Sequence, residues 1–555
     1  FDEDTQRKTH RARSEWEEQV GPRSEREGTT SSGIPVPPVF DATDLAHIDV
    51  EDIGMPGRFP YTRGAYPLQH QTVGWMNQQV HGFGTPEQTN ERMNALLSQG
   101  MAGYGDRPVF NLVFDLPTQE GFDADDPVAE GRVGLSGVSV STVDDLDRLF
   151  AGFDPAEINA SLIMADPSLA ILAMYIVLAE RRGVPAAQLR GNTMNFLYNT
   201  FHMDRHGFPP RKAMRLIVEL ITYATAEMPR WNTTNLCGYN IRQSGATSVQ
   251  ELAYTRAVSA AITEACLDAG LAPDDFLPRF GFQICVDNDL FEDVAKIRAL
   301  RRMWATMNRE RFGAEKPRSH QARIHVHTSG AALTAQQPQL NIARAALHTL
   351  AAVLGGANSI QTSAHDEALS IPTEKAAVLA LRTQQMIRFE TGAANVTDPL
   401  GGSYYLEWLT DRIVSEAKAT LDELETEGGG FMAAWQSGWL RARIAEQSYR
   451  DQESIVSGEK VVIGVNRFRE EATTEIPVFA VAAGVEAHQV ERLASFRRDR
   501  DTTETERRLE ALRSAIREDG ALMEPVLQCF RADATLGEVM GVFRKAWTRG
   551  TVYGR

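Results

Sequence analysis

From about residue 85 to residue 400, short apolar runs rich in branched residues alternate with longer amphipathic stretches. The strand candidates are 111–116, 158–164, 192–194, 234–239, 280–286, 323–328 and 359–362, with an eighth near 394–396. Helical stretches such as 168–182, 211–227, 248–269, 291–312 and 339–354 lie between them. Strands separated by crossover helices run parallel. Eight such units over about 300 residues suit an α/β fold closed into a (β/α)8 TIM barrel better than an open sheet. Functional side chains in that fold sit just past the strand C-termini. Polar clusters at 115–119, 238–240, 325–330 and 361–367 fall there.

The flanking regions read differently. Residues 1–45 are polar, with room for a short helix, and then become an extended, Pro-rich N-terminal arm that is either disordered or wrapped on a partner. The barrel spans 46–400, a helical linker region 401–475, and a helical C-terminal extension 476–555 that contacts a partner subunit. One charged helix is expected over about 488–517. Between arm and barrel, residues 54–66 hold three glycines, two prolines and three aromatics, with Arg58 and Arg63 among them. This cannot be a helix interior; by composition it is a surface linker or a loop laid along a ligand.

Several function classes drop out. A net charge of -17 argues against nucleic-acid binding, although local arginines can still hold an anion. The four cysteines are widely spaced without a CxxC, favouring a reduced, cytoplasmic compartment. No run of about 18 apolar residues predicts a membrane span, and the polar start is unlike a signal peptide. His325, His327 and His365 would make a three-histidine metal site; histidines bonded to a ligand or to loops are the expectation, and no metal is assigned. Asp123, Asp125 and Asp126 ahead of Pro127 read as turn and cap residues. No nucleophile elbow, P-loop or dinucleotide fingerprint occurs.

Taken together, the stretches 57–66 (PGRFPYTRGAY within 56–66), 114–121 (FDLPTQEG), 229–232 (PRWN), 238–247 (GYNIRQSGAT), 294–302 (VAKIRALRR), 327–336 (HTSGAALTAQ), 366–373 (DEALSIPT), 398–405 (DPLGGSYY) and 463–468 (IGVNRF) carry a resemblance. The chain resembles the adenosylcobalamin-dependent acyl-CoA mutases: methylmalonyl-CoA, isobutyryl-CoA and, by layout, 2-hydroxyisobutyryl-CoA mutase large subunit. The resemblance implies an acyl-CoA threading the barrel axis and adenosylcobalamin across its C-terminal face. It also implies a radical 1,2-migration of the thioester carbonyl. The cobalt-ligating Asp-x-His-x-x-Gly is absent, since Asp204-Arg205-His206-Gly207 has the wrong spacing. A small cobalamin-binding subunit would supply it, and a G-protein chaperone belongs among the implied partners.

The same resemblance assigns roles. Asn240 stands at the family histidine that bonds the migrating carbonyl; its amide still donates but cannot carry a proton. Tyr239 and Gln361 position the acyl group and adenosine. Tyr66, Arg63, Thr193, Arg279 and His327 fall on the substrate side, and Phe114, Ser139, Asn358, Glu390 and Thr391 on the cofactor side. Val80 stands at a family tyrosine, Val73 at an arginine reaching the substrate and CoA phosphates, and Val113 at a position acidic in the hydroxyisobutyryl enzyme. Asp204, or Met203 beside it, stands at the arginine that pairs with a substrate carboxylate. An unpaired carboxylate against Val80 and Val113 would be costly, so a branched, uncharged acyl group is expected rather than methylmalonyl-CoA. A carrier-protein-bound thioester and a non-catalytic barrel subunit are the alternatives.

Overall fold

The structure is a computed structural model, and it describes residues 3–20, 28–101, 103, 107–164, 166–195, 207–470 and 476–547. A two-stranded antiparallel ribbon comes first, β1 Gly28–Thr29 with β2 Pro35–Val36. Ten further strands form two parallel sheets of five. One holds β3 Met76–Asn77, β9 Thr234–Cys237, β10 Phe280–Val286, β11 Arg323–Thr328 and β12 Ser359–Gln361, in the order β3-β12-β11-β10-β9. The other runs β4-β5-β6-β7-β8: Val80–His81, Val109–Val113, Asn159–Met164, Arg190–Asn195 and Trp231–Asn232. The edge strands β3 and β4 are separated only by Gln78 and Gln79, and β8 and β9 only by Thr233. The two sheets therefore continue into each other at both edges, a barrel-like arrangement.

The sequence reading locates seven of these strands and does not anticipate the β1–β2 ribbon, β8 or the pair β3 and β4. Segments 280–286 and 323–328 are strands as expected. The run 394–396 is not a strand, and Val396 is exposed. Residues 76–81 instead supply strand, broken in two, whose Asn and Gln are unlike an apolar run. Two strands end earlier than read. Asp115 leaves β5 to cap the helix Leu116–Glu120, accepting from Thr118 N–H at 3.0 Å. Gly238 opens the helix Gly238–Gln243 directly after Cys237. The single helix expected over 488–517 is two, Val485–Asp499 and Thr502–Arg517, because Arg500 is extended and Asp501 caps a new start.

The N-terminal region is not an unattached extended arm. It holds a helix, Glu3–Val20, and the β1–β2 ribbon, whose Ile34 is buried in the main core. Ser31 N–H donates to Asp289 at 2.9 Å, and Phe40 packs on Tyr405 and Trp408. Nor is 54–66 a loose linker. The buried Arg301 donates to the carbonyls of Tyr61 and Thr62, each at 2.9 Å, and to Gly355 at 2.7 Å. Arg63 Nε meets Asp398 at 2.8 Å, and Arg298 clamps the same carboxylate and Glu407.

The helix Ser168–Arg181 explains why the C-terminal region packs where it does. Its first twelve residues, Ser168 to Ala179, are all buried. A helix apolar on every side needs cover on both faces. One face lies on β6 and β7; the other is covered by the helix Met523–Arg531, with Leu527 and Phe530 fully buried. Each such side chain contributes roughly 1.5–3 kcal/mol by leaving water.

Candidate functional site

Inward-facing positions of an ordinary β/α barrel carry bulky branched residues that fill the interior. Here they carry short polar ones. Asn111, Ser161, Asn192, Asn235, His325 and Ser359, from six strands in both sheets, line one central cavity of about 570 Å³. The polar residues leave the interior open and wet-compatible. At the strand N-termini the same cavity is rimmed by Arg107, Arg190, Arg230, Arg279, Arg318 and Arg323, with no Asp or Glu in its lining. Several of these guanidiniums are held by neutral carbonyls. Arg279 donates to Ala224 at 2.9 Å and Asp275 at 2.8 Å, and Arg323 to Pro278 at 2.8 Å. Carbonyl partners orient the cations without cancelling their charge, so the mouth suits a phosphate-bearing ligand.

A second cluster forms past the strand C-termini. Tyr239, in the first turn after β9, stacks on His327 of β11. Gly238 is required ahead of it, since a Cβ there would lie 2.6 Å from Thr255 Oγ1 and 2.9 Å from Ile284 Cδ1. Gln243, one turn on, donates through Nε2 to Ser329 Oγ at 3.0 Å and Cys285 Sγ at 3.2 Å. Its Oε1 accepts from Ala331 N–H at 2.9 Å. The end of β10 is fixed from behind: Cys285 N–H donates to Glu251 at 2.7 Å, and Lys296 bridges Glu251 to the Cys285 carbonyl. At the end of β12, Gln361 Oε1 accepts from Val80 N–H at 2.7 Å, and beyond it Glu367 accepts from Ala364 N–H at 3.1 Å.

Burial sets the electrostatics. It pushes the Glu367 carboxyl up to about 7, and the Tyr239 phenol well above its ordinary value. It lowers His325 and His327 to about 3, so both are neutral. Two buried nitrogens, Asn240 Nδ2 past β9 and His327 Nε2 near the end of β11, have no hydrogen-bond partner. Unpaired buried polar groups are costly, and a ligand at this end of the strands would satisfy them. His325 Nδ1 is 2.8 Å from Ser359 Oγ. Among the described residues no three His, Cys, Asp or Glu side chains come together as metal ligands.

The structure sorts the expected site residues into three groups. Tyr66, Arg279 and Asn358 line the central cavity; Tyr239 and His327 stack past its far end, and Gln361 joins β12 to Val80. Val80 pairs in register with the cavity-lining Asn111, and Val113 lies two residues further on the same face. The structure places the remaining expected residues elsewhere or in other roles. Thr193 points outward, fully buried, and accepts from Trp231 Nε1 at 2.7 Å; its inward neighbour is Asn192. Phe114 is fully buried in the core. Asn358 precedes β12 and accepts from Ile324 N–H at 2.9 Å, so it belongs to the N-terminal mouth and not to the opposite face. Glu390 ends the helix Glu374–Glu390, with Thr391 as its cap; that helix end lies at Gly74, before β3, again at the mouth. Ser139 is buried at its face, with its carbonyl accepting from Gln489 at 3.2 Å, and Arg63 is committed to Asp398. Asp204 lies outside the described residues. Glu367, Gln243, the polar cavity lining and most of the arginine rim were missed. The signal for Glu367 is its place in the polar cluster 361–367 after the last strand.

The sequence model of the family described as methylmalonyl-CoA mutase matches residues 29–549. The chain is 36% identical over 545 residues to a protein named 2-hydroxyisobutanoyl-CoA mutase large subunit from Aquincola tertiaricarbonis, covering 96% of each. It is 35% identical over 522 residues to methylmalonyl-CoA mutase of Escherichia coli K12, covering 94% of this chain and 72% of that protein. To the human mitochondrial methylmalonyl-CoA mutase it is 35% identical over 521 residues, 93% of this chain and 68% of that protein.

Proposed function

Because the chain belongs to the methylmalonyl-CoA mutase family, we propose that it is the large subunit of an adenosylcobalamin-dependent carbon-skeleton mutase. Its two sheets would close as one (β/α)8 barrel. A branched, uncharged acyl-CoA enters through the arginine-rimmed mouth, and its thioester carbonyl migrates between adjacent carbons at the far end. The observation that carries this reading is the open polar cavity, with cations at the strand N-termini and the unpartnered Asn240 amide past the strand C-termini.

Asn240 orients and polarises the thioester carbonyl by donating from its amide. It has no proton to give at neutral pH, so polarisation without protonation is its role. Gln361 holds Val80 in place, and Val80 with Val113 shapes the acyl pocket. Next to those two valines a free carboxylate would lose hydration, which disfavours methylmalonyl-CoA.

The residues past the strand C-termini fit the adenosyl side of the cofactor: Glu367 and Gln243 offer acceptors, and His327 an unpartnered nitrogen. When bound, the cofactor supplies reversible bond homolysis, which takes a hydrogen from the substrate and returns it. The stacked Tyr239–His327 wall excludes water from that region. The cobalt ligand would come from a small subunit carrying Asp-x-His-x-x-Gly. A G-protein chaperone is a further proposed partner, and the C-terminal helices are the proposed docking region for the small subunit.

The test is isomerisation by the purified chain combined with such a small subunit and adenosylcobalamin. Branched uncharged acyl-CoAs should be converted and methylmalonyl-CoA should not. Inactivity across a broad panel of CoA and carrier-linked acyl groups would sink the reading.

A further inference from the structure

Past the central cavity the strands carry two dissimilar rows of side chains. Asn111, Ser161 and Asn192 line the cavity from β5, β6 and β7. Two residues further on, with the same face inward, stand Val113, Ile163 and Met194. Val113 pairs in register with Ile163, and Ile163 with Met194, so the three make one continuous apolar row. Val80 adjoins it from β4, the strand paired with β5. Ile163 and Met194 are buried, whereas Val80 and Val113 are only partly so. In the other sheet, His325 and Ser359 line the same cavity. Two residues beyond them stand His327 and Gln361, in register with each other and with Cys285 of β10. That row is polar, and the unpartnered Asn240 Nδ2 and His327 Nε2 lie on its side of the barrel.

A layer that merely filled the barrel would be bulky and branched all the way round. Here only the half on β4 to β7 is. That half offers a ligand no strong donor or acceptor, while the opposite half holds nitrogens without a partner. What fits between them has one polar flank and one hydrocarbon flank. An acyl thioester has both: its carbonyl turns to the polar half, and the substituents of its α-carbon meet the apolar row.

We propose that Ile163 and Met194 are specificity-determining residues, and that with Val80 and Val113 they select an acyl group whose α-carbon bears hydrocarbon alone over one that bears a hydroxyl. The inference rests on the acyl-CoA reading above and deepens it. A hydroxyl turned to this row would lose its hydration without a replacement partner.

2,2-Dimethylpropanoyl-CoA and 2-hydroxyisobutanoyl-CoA differ only by a methyl group in place of a hydroxyl, so their shapes nearly match. Calorimetric titration of the full chain with each, and with coenzyme A, is the test. The wild-type chain should bind the dimethylpropanoyl thioester about tenfold to a hundredfold more tightly. Met194→Gln and Ile163→Thr put polar atoms in the row, and each should shrink that ratio about fivefold, the size of one hydrogen bond. Affinity for coenzyme A, which has no acyl group, should not change. Should a polar variant fail to fold, Met194→Val shortens the row without a polar atom; it should weaken dimethylpropanoyl-CoA binding and spare coenzyme A. Equal wild-type affinity for the two thioesters, or tighter binding of the hydroxylated one, overturns the selectivity with no variant needed. Variants that keep the wild-type ratio, or lose coenzyme A binding alongside it, overturn the role of Ile163 and Met194. Binding of neither thioester overturns the acyl-CoA reading itself. The expected ratio without isomerisation by the complete enzyme overturns the mutase reading and leaves the selectivity of the row.

Discussion

The Tyr239 ring lies flat on the imidazole of His327, with centroids 4.1 Å apart and planes 6° from parallel. One residue follows β9 and the other lies in β11, so the stack ties together two strand ends that flank β10. Asn240 is the next residue, in the same short helix past β9. His327→Ala should cost about 0.5–1.5 kcal/mol for the aromatic pair alone. Because His327 is neutral down to about pH 3, it should add no limb to a pH–rate profile between pH 5 and 8; such a limb, abolished by the substitution, would contradict the burial argument.

Asn240→Ala should lower kcat about tenfold or more, the size of one lost hydrogen bond to a developing charge. Saturation kinetics with a branched acyl-CoA is the measurement. An unchanged kcat with a raised KM would make Asn240 a binding group only.

Glu367 titrates near 7 in the folded chain and near 4.5 when unfolded. Its folded value is raised, and it is an acid, so the unfolded state loses its proton first as pH rises. Stability should therefore fall between pH 4.5 and 7, by roughly 3 kcal/mol at full effect. Glu367→Gln should remove that fall, and melting curves at pH 5 and pH 8 would reveal it. Parallel wild-type and variant curves would refute the assignment.

Five histidines act in the opposite sense. His81, His325 and His327 are held at about 3, and His70 and His348 at about 4, chiefly by burial. Unfolding frees each to bind a proton near pH 6.5, so stability should drop as pH falls below that value. The loss is roughly 2 kcal/mol per histidine between pH 6.5 and 5. His81 has both ring nitrogens unpartnered and packs edge-on to Phe110. His81→Phe should make the acid limb of a melting-temperature profile shallower; an unaltered limb would exclude His81 as a contributor.

Arg298 lies fully buried, with Nη1 2.5 Å from each Asp398 oxygen and Nη2 2.6 Å from Glu407. Asp398→Ala would leave that guanidinium and Arg63 short of a counter-charge. A loss of about 3–5 kcal/mol is expected by denaturant unfolding. A change below about 1 kcal/mol would mean that Glu407 suffices.

What could be read from sequence follows from which faces are apolar. Strand 280–286, FGFQICV, is mostly apolar and β-compatible, and its expected bounds match the structure. Strand 76–81 carries Asn77, Gln78 and Gln79, and the trait that opens the cavity is the trait that hid the strand. The resemblance assigns Asn358, Glu390 and Thr391 to the cofactor side by their position along the sequence, and that position alone does not say at which end of a strand a residue sits. Strand direction does: 358 precedes β12, whereas 367 follows it. Thr193 and Asn192 differ only in parity, which apolar patterning cannot settle when both faces of the strand hold polar residues.

The cover over the helix Ser168–Arg181 has a consequence for how the protein is made. Arg531 reaches back 351 positions to bond Glu180. At about 5–20 residues per second, the ribosome needs roughly twenty seconds to a minute to deliver that cover. Throughout that interval an apolar helix stands half-clothed in the nascent chain. A premature stop anywhere before Met523 would leave it so permanently, and such a product should be held by chaperones or aggregate even with every strand already synthesised.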